Sequence, residues 1–126
     1  MESLRRKILI IDDEPRIRSI YIRMLEEAGL IARWGNNAHE ATGILIREKI
    51  DLILLDINMP GIEGKTMFDI IQEYDPSLKV IVASVYPIHV QKMMIPQAYD
   101  YYDKSYGPFL LLDKIFNAMD FSLPKI

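Results

Sequence analysis

The sequence predicts an α/β fold in which a five-stranded parallel sheet is covered by helices on both faces. Five short, continuous apolar runs alternate along the chain with five segments whose apolar residues recur every three or four positions. A continuous apolar run is typical of a strand buried on both faces, and the three-and-four spacing is typical of an amphipathic helix. Regular alternation of the two implies right-handed crossover connections between parallel strands.

The strands are predicted where the apolar runs are rich in β-branched and aromatic residues. The predicted strands are Lys7–Ile11, Leu30–Trp34, Asp51–Leu55, Lys79–Ala83 and Tyr99–Tyr102. Each is bounded by residues that favour a turn or the start of a helix, so the chain leaves the sheet after every strand.

The helices are predicted from periodicity and from residues that begin or end them. Pro15 suits the first turn of the first helix, and Gly29 ends that helix. Asn37, with Glu40 three residues later, resembles a capping box for the second helix. The third helix follows a loop at Gly61–Gly64 and ends at Asp75-Pro76. The last two helices are predicted at Pro87–Ile95 and Pro108–Asp120.

Composition excludes several classes of function. The 126 residues, half of them hydrophobic, suffice for one globular domain. A formal charge of -3 gives no general basic field for direct nucleic-acid binding, and the absence of cysteine excludes disulfides and thiolate chemistry. No apolar run approaches the roughly 20 residues of a membrane span, and no signal-peptide pattern opens the chain. We therefore expect a cytoplasmic protein with no membrane insertion.

Polar residues follow four of the predicted strands, directly for Asp12-Asp13, Asp56 and Ser84 and after one intervening residue for Lys104. Because the carboxyl ends of parallel strands share one edge of the sheet, these residues are expected to converge there. A carboxylate can attack phosphorus to form an acyl phosphate, and clustered carboxylates need a cation such as magnesium, which prefers oxygen ligands. The pattern therefore favours a phosphate-handling site.

Each of these residues alone also has a purely structural interpretation. Asp12-Asp13 and Ser84 would cap helices, Asp56 would begin a turn, and Lys104 would be a solvated surface lysine. The joint occurrence at four strand ends, in an order that the fold predicts, favours the functional interpretation.

Two strings around these residues closely resemble the receiver domain of two-component response regulators. They are Ile8–Pro15 and the Asp-x-x-Met-Pro-Gly-x-x-Gly pattern of Asp56–Gly64, with Ser84 and Lys104 following later strands. The resemblance covers the whole chain. It implies a doubly wound, flavodoxin-like sheet of order 2-1-3-4-5 and a single receiver domain over residues 1–126, with its core at about residues 7–121.

The resemblance also implies the roles of the acidic residues. Asp56 would accept a phosphoryl group from a histidine kinase or a phosphotransfer protein, and Asp12 and Asp13 would hold Mg²⁺ beside it. We expect Asp13 and Asp56 to be direct ligands, Asp12 to act through water, and the backbone carbonyl of Asn58 to be a further ligand. Such a protein is not an enzyme toward outside substrates, since it catalyses only its own phosphorylation and dephosphorylation.

The same resemblance implies a conformational switch. Ser84 would be the switch hydroxyl, Tyr101 the switch aromatic that turns inward on phosphorylation, and Lys104 the cation that follows the phosphate. A downstream effector protein would bind the face of the fourth helix, fifth strand and fifth helix. Residues that either fill the core or form this partner patch are Met93, Met94, Tyr102, Tyr106 and Phe109.

Two positions depart from the family pattern. Ser105 follows Lys104 where the family usually has proline, often through a cis bond, and a cis peptide before a residue other than proline costs about 3 kcal/mol. Val85 stands where alanine or glycine is usual, and its branched side chain is a candidate access gate that slows loss of phosphate. The alternative is that Val85 packs into the core.

Two other functions remain open at this point. One is a magnesium-dependent aspartyl phosphatase or phosphotransferase, against which the sequence offers no substrate-cap insertion and has Glu14-Pro15 where an acid-base residue would stand. The other is a vestigial receiver that acts as a protein-interaction module. We expect a stand-alone receiver or one excised from a larger regulator, because the last predicted helix ends near Phe121 and only Ser122–Ile126 remain.

Overall fold

The computed structural model describes residues 5–58 and 64–119. The strands are β1 (Lys7–Ile11), β2 (Ile31–Gly35), β3 (Leu52–Leu55), β4 (Lys79–Ser84) and β5 (Asp100–Asp103). The helices are α1 (Pro15–Glu27), α2 (Ala38–Arg47), α3 (Gly64–Tyr74), α4 (Ile88–Met94) and α5 (Pro108–Ala118). Residues 59–63 of the motif and of the predicted loop, and the predicted end of the last helix, lie outside the described residues.

The five strands form one parallel sheet in the order β2-β1-β3-β4-β5, which confirms the predicted fold. The register aligns Ile11 of β1 with Leu55 of β3, so the residues that follow these two strands lie side by side. At the other side of the sheet, Ser84 of β4 is paired with Asp103 of β5. The carboxyl ends of these four strands therefore meet at one edge.

A hydrophobic core lies on each face of the sheet. In β1, Leu9 and Ile11 belong to the cluster packed with α2, α3 and α4, whereas Ile8 and Ile10 belong to the cluster packed with α1 and α5. All four side chains are buried. Burial on both sides explains why the strand is continuously apolar instead of alternating. No helix in the described part of the chain has the length and apolar character needed to span a bilayer.

Two helix termini show how the local sequence fixes the chain direction. After α1, Gly29 adopts a φ of 83°, a left-handed conformation that glycine accepts without strain. At α2, the Asn37 side chain accepts the Glu40 backbone N–H at 2.9 Å, as the capping pattern predicts. The Glu40 carboxylate reaches the backbone N–H of Asn36 at 2.8 Å, one residue earlier than a standard capping box.

Candidate functional site

A single local motif recurs at four strand ends. In each case a side-chain oxygen accepts the backbone N–H of the residue two positions later, which bends the chain away from the sheet. The pairs are Asp12 Oδ1 with Glu14 at 3.0 Å, Asp56 Oδ1 with Asn58 at 3.0 Å, Ser84 Oγ with Tyr86 at 3.2 Å and Asp103 Oδ1 with Ser105 at 2.9 Å. Neither Asp12 nor Ser84 is a helix cap, since the N-cap residues of α1 and α4 are Glu14 and Pro87, and neither of these makes a side-chain cap hydrogen bond.

The second oxygens of the two buried aspartates face the same ammonium group. Lys104 Nζ lies 2.7 Å from Asp12 Oδ2 and 3.3 Å from Asp56 Oδ2. The side chains of Lys104, Asp12 and Asp56 are only 6%, 3% and 7% exposed. Lys104 is therefore a buried ion-pair partner and not a solvated surface lysine. It lies closer to Asp12 than to Asp56.

A third carboxylate completes the cluster. Asp13 is exposed, and its oxygen lies together with those of Asp12 and Asp56 within a mutual distance of 4.8 Å. Three carboxylates against one ammonium leave the site negative. Hard divalent cations such as Mg²⁺ prefer such oxygen donors, and an exposed carboxylate gives an entering ion access. The chemistry and spacing of these residues thus fit a magnesium ion.

The backbone holds these residues at the sheet edge by extending the ladder past the strands. The backbone N–H of Asp12 donates to Gly35 O at 3.2 Å, that of Asp56 to Ile11 O at 2.9 Å, and that of Lys104 to Ser84 O at 2.8 Å. On the far side of Asp56, the start of α3 comes very close to the loop. A Cβ added to Gly64 would lie 2.7 Å from Ile57 Cα, so this position requires glycine.

The family model described as the response regulator receiver domain matches residues 8–116 of this chain. The chain belongs to that family. It is 30% identical over 117 residues to the C4-dicarboxylate transport transcriptional regulatory protein DctD of Pseudomonas aeruginosa, covering 90% of this chain and 25% of DctD. It is also 30% identical over 83 residues to sporulation initiation phosphotransferase F of Bacillus subtilis, covering 66% of this chain and 67% of that protein.

Among solved structures, this receiver is similar to the response regulator protein TrrA of Thermotoga maritima in complex with Mg²⁺-BeF. The TM-score is 0.82 at 30% sequence identity, with 90% of this chain and 98% of that chain covered. The chain spans about a quarter of the length of DctD. The comparisons therefore establish the family and the fold of this segment.

Electrostatics at the centre of the receiver raise the pKa values of both Asp56 and Lys104. Burial raises the pKa of Asp56 above its usual range, and the nearby charge of Asp12 adds to this, while the Asn58 N–H and Lys104 oppose it. Burial alone would lower the pKa of Lys104, but its hydrogen bond to Asp12 and the charge of Asp56 raise it overall. Lys104 therefore stays protonated at neutral pH.

The residues of the predicted switch differ in burial. Ser84 is fully buried, whereas Val85 is 67% exposed, so the alternative that Val85 packs into the core is wrong. Tyr101 is already inward in this structure, because it is 6% exposed and its hydroxyl donates to Ile95 O at 2.5 Å. The Lys104–Ser105 peptide is trans, and the Ser105 hydroxyl donates to Asp103 Oδ1 at 2.7 Å.

Sequence reasoning missed two polar side chains near the site. Asp103 forms the turn that carries Lys104, and a second acid directly before that lysine was the available signal. Gln91 is fully buried beneath the loop after β4. Its signal was an amide between Ile88 and Ile95, on a helix face that is otherwise apolar.

Proposed function

We propose that this receiver domain accepts a phosphoryl group on Asp56 in a magnesium-dependent reaction and signals by a change of conformation. The observation that carries the proposal is the cluster of three carboxylates around one buried ammonium. The donor is a histidine kinase or a phosphotransfer protein, as family membership suggests. We extend the proposal to one domain over residues 1–126, with its core at about residues 7–121, acting in the cytoplasm and on itself.

The two carboxylate oxygens of Asp56 have different partners, which supports its role as the phosphoryl acceptor. Oδ1 accepts the Asn58 N–H and fixes the carboxylate, while Oδ2 lies toward Lys104. In the transfer, one carboxylate oxygen forms a bond to phosphorus while the phosphorus–nitrogen bond of the donor phosphohistidine breaks. The imidazole nitrogen keeps the electron pair of that bond. Lys104 then pairs with a phosphoryl oxygen, since a protonated ammonium stabilises the added negative charge.

The proposed roles of the metal ligands follow from how closely Lys104 approaches each carboxylate, since its Nζ lies 2.7 Å from Asp12 Oδ2 but 3.3 Å from Asp56 Oδ2. Both oxygens of Asp12 already accept hydrogen bonds, from Glu14 N–H and from Lys104, which supports a role through water. Asp13 and Asp56 would bind the ion directly, with the backbone carbonyl of Asn58 as a further ligand. A bound magnesium ion neutralises the negative charge shared by carboxylates and phosphoryl oxygens.

The proposed signal passes through Ser84 and Tyr101 to the face of α4, β5 and α5, where a downstream effector protein binds. Exposed apolar side chains on and around this face support the proposal, since Met93 is 79% and Tyr106 48% exposed. Phe109 is 81% exposed but lines a groove between α1 and α5 instead. Exposed apolar surface of this kind is typical of a partner interface. Tyr102 does not belong to the patch, because it is 1% exposed and lies in the core.

The proposal is tested by incubating the protein with a small-molecule phosphodonor and Mg²⁺, followed by mass spectrometry. We expect one hydroxylamine-labile phosphoryl group, located on Asp56 and absent from Asp56→Asn. The matched control is Asp69→Asn, which changes an exposed acid on α3 and leaves labelling intact. Release of many equivalents from varied phosphate esters would indicate a phosphatase, and absence of labelling would indicate a vestigial receiver.

A further inference from the structure

The side chain of Gln91 connects the two segments that carry Ser84 and Lys104. Its Nε2 donates to Tyr86 O at 2.7 Å, two residues after Ser84, and to Tyr102 O at 2.9 Å, two residues before Lys104. The residue is fully buried, so neither bond competes with solvent. Because both neighbours are carbonyl oxygens, only the NH₂ side of the amide can face them, which fixes its orientation.

Packing alone does not explain an amide at this position. Gln91 Oε1 is the one buried side-chain polar atom without a hydrogen-bond partner in residues 5–58 and 64–119. An unpaired buried acceptor is unfavourable, and an apolar side chain of similar size would avoid that cost. The two hydrogen bonds that Nε2 donates compensate for this cost.

The segment Ser84–Tyr86 is held at both of its ends. Ser84 O accepts the Lys104 N–H at 2.8 Å, and Tyr86 O accepts Gln91 Nε2. Between them, the Ser84 hydroxyl oxygen accepts the Tyr86 N–H at 3.2 Å. If Ser84 is to donate to a phosphoryl oxygen on Asp56, this turn must shift. Gln91 is anchored to β5 through Tyr102, so the shift stretches its bond to Tyr86.

We propose that Gln91 is a positioning residue that braces the Ser84–Tyr86 loop against β5 and thereby favours the unphosphorylated arrangement. The inference rests on the proposed function, because it concerns the movement of Ser84 toward Asp56. A substitution that removes one such hydrogen bond from the resting state, and none from the phosphorylated arrangement, should raise the equilibrium ratio of the phosphorylated to the resting arrangement by roughly fivefold.

The test uses Gln91→Met, which keeps an unbranched side chain of similar volume and removes both donors. Amide hydrogen exchange of the unliganded protein measures how strongly Gln91 restrains the Ser84–Tyr86 loop. We expect faster exchange at Val85 and Tyr86, with α2 unchanged. The apparent Kd for beryllium fluoride in the presence of Mg²⁺ measures the coupling, and we expect it to fall roughly fivefold. Gln97→Met, at an exposed glutamine after α4, should change neither quantity.

The two measurements separate this inference from the proposed function. Unchanged loop exchange in Gln91→Met would overturn the brace, whatever the wild type binds. Faster exchange with an unchanged or weaker beryllium fluoride affinity would overturn the coupling. A wild type that does not bind beryllium fluoride with Mg²⁺ would instead refute the proposed function. Gln91→Asn keeps an amide but is one methylene too short to reach both carbonyls, and it provides the same measurements if the methionine variant does not fold.

Discussion

Removal of the buried ammonium is the most direct perturbation of this site. We expect Lys104→Met to lower the free energy of unfolding by about 3 to 5 kcal/mol at pH 7, because breaking a buried ion pair leaves an uncompensated charge. The linear side chain of methionine keeps most of the volume, so the effect is electrostatic. A loss of this size is a large part of the roughly 5 to 15 kcal/mol that stabilises a typical domain.

The magnitude follows from the distances. At an effective dielectric constant of about 20, Lys104 attracts Asp12 at 2.7 Å by about 6 kcal/mol and Asp56 at 3.3 Å by about 5 kcal/mol. Desolvation of the buried ions offsets much of this attraction. Without Lys104, the desolvation of the carboxylates remains, and their mutual repulsion at a separation within 4.8 Å, about 3.5 kcal/mol or more, is no longer offset. The expected loss of unfolding free energy is therefore smaller than the sum of the attractions of Lys104 to Asp12 and to Asp56.

The loss of stability caused by Lys104→Met should also depend on pH. The pKa of Asp56 is raised in the folded state, chiefly by burial. Its contribution to stability is therefore greatest below the ordinary carboxyl pKa and is lost as pH rises through the raised value. Lys104 opposes this shift, so its removal raises the pKa of Asp56 further. The destabilisation by Lys104→Met should thus grow as the pH increases from about 4 to 7.

Urea denaturation over a series of pH values measures this dependence, with the m-value as a check on two-state unfolding. The matched control is Lys65→Met. Lys65 Nζ lies 2.6 Å from Asp69 Oδ1, but these side chains are 45% and 56% exposed. Such a surface pair contributes at most about 0.5 kcal/mol. Equal costs for the two variants, or a Lys104→Met cost that is the same at every pH, would refute the reasoning.

Three further predictions concern the metal, the access route and the switch. Mg²⁺ should raise the free energy of unfolding, by about 2.7 kcal/mol at one hundred times its Kd, and Asp13→Ala should lose most of this gain while stabilising the metal-free protein. An equal Mg²⁺ shift in both proteins would place the metal elsewhere. Val85→Ala should shorten the acyl-phosphate half-life and, at an exposed position, change stability by no more than about 0.5 kcal/mol. NMR signals of Tyr101 should change with beryllium fluoride, whereas changes limited to the loop beside Asp56 would contradict the switch.

The sequence predicted all five strands to within one residue at each end, the resemblance to receiver domains implied their order, and two of the differences lie where a strand continues through a polar residue. The limits of β1 agree with prediction, because its apolar run coincides with the paired residues. In contrast, β4 continues to Ser84 and β5 to Asp103, one residue beyond the apolar runs. Both residues are buried and paired, so their backbone ladder extends beyond the hydrophobic pattern. Hydrophobic periodicity carries no information about such residues.

The sequence predicted which residues form the site more readily than it predicted how their side chains are arranged. The convergence of Asp12, Asp56 and Lys104 follows from the topology of a parallel sheet. That Lys104 lies nearer to Asp12 than to Asp56 depends on differences of less than 1 Å, which spacing along the chain does not encode. The orientation of Val85 was also open, because the turn at Ser84 ends the alternation of side chains that a continuing strand would impose.

The turn-forming and functional interpretations of the strand-end aspartates are not alternatives. Asp56 uses Oδ1 to form the local turn and directs Oδ2 toward Lys104, and Asp12 divides its oxygens in the same way. The turn removes rotational freedom from the carboxylate before any reaction, which is the form of preorganisation that catalysis by positioning requires. Asparagine retains an Oδ1 acceptor for the turn and removes the charge, whereas alanine removes both. A comparison of Asp56→Asn with Asp56→Ala therefore separates the contribution of the turn from that of the nucleophile.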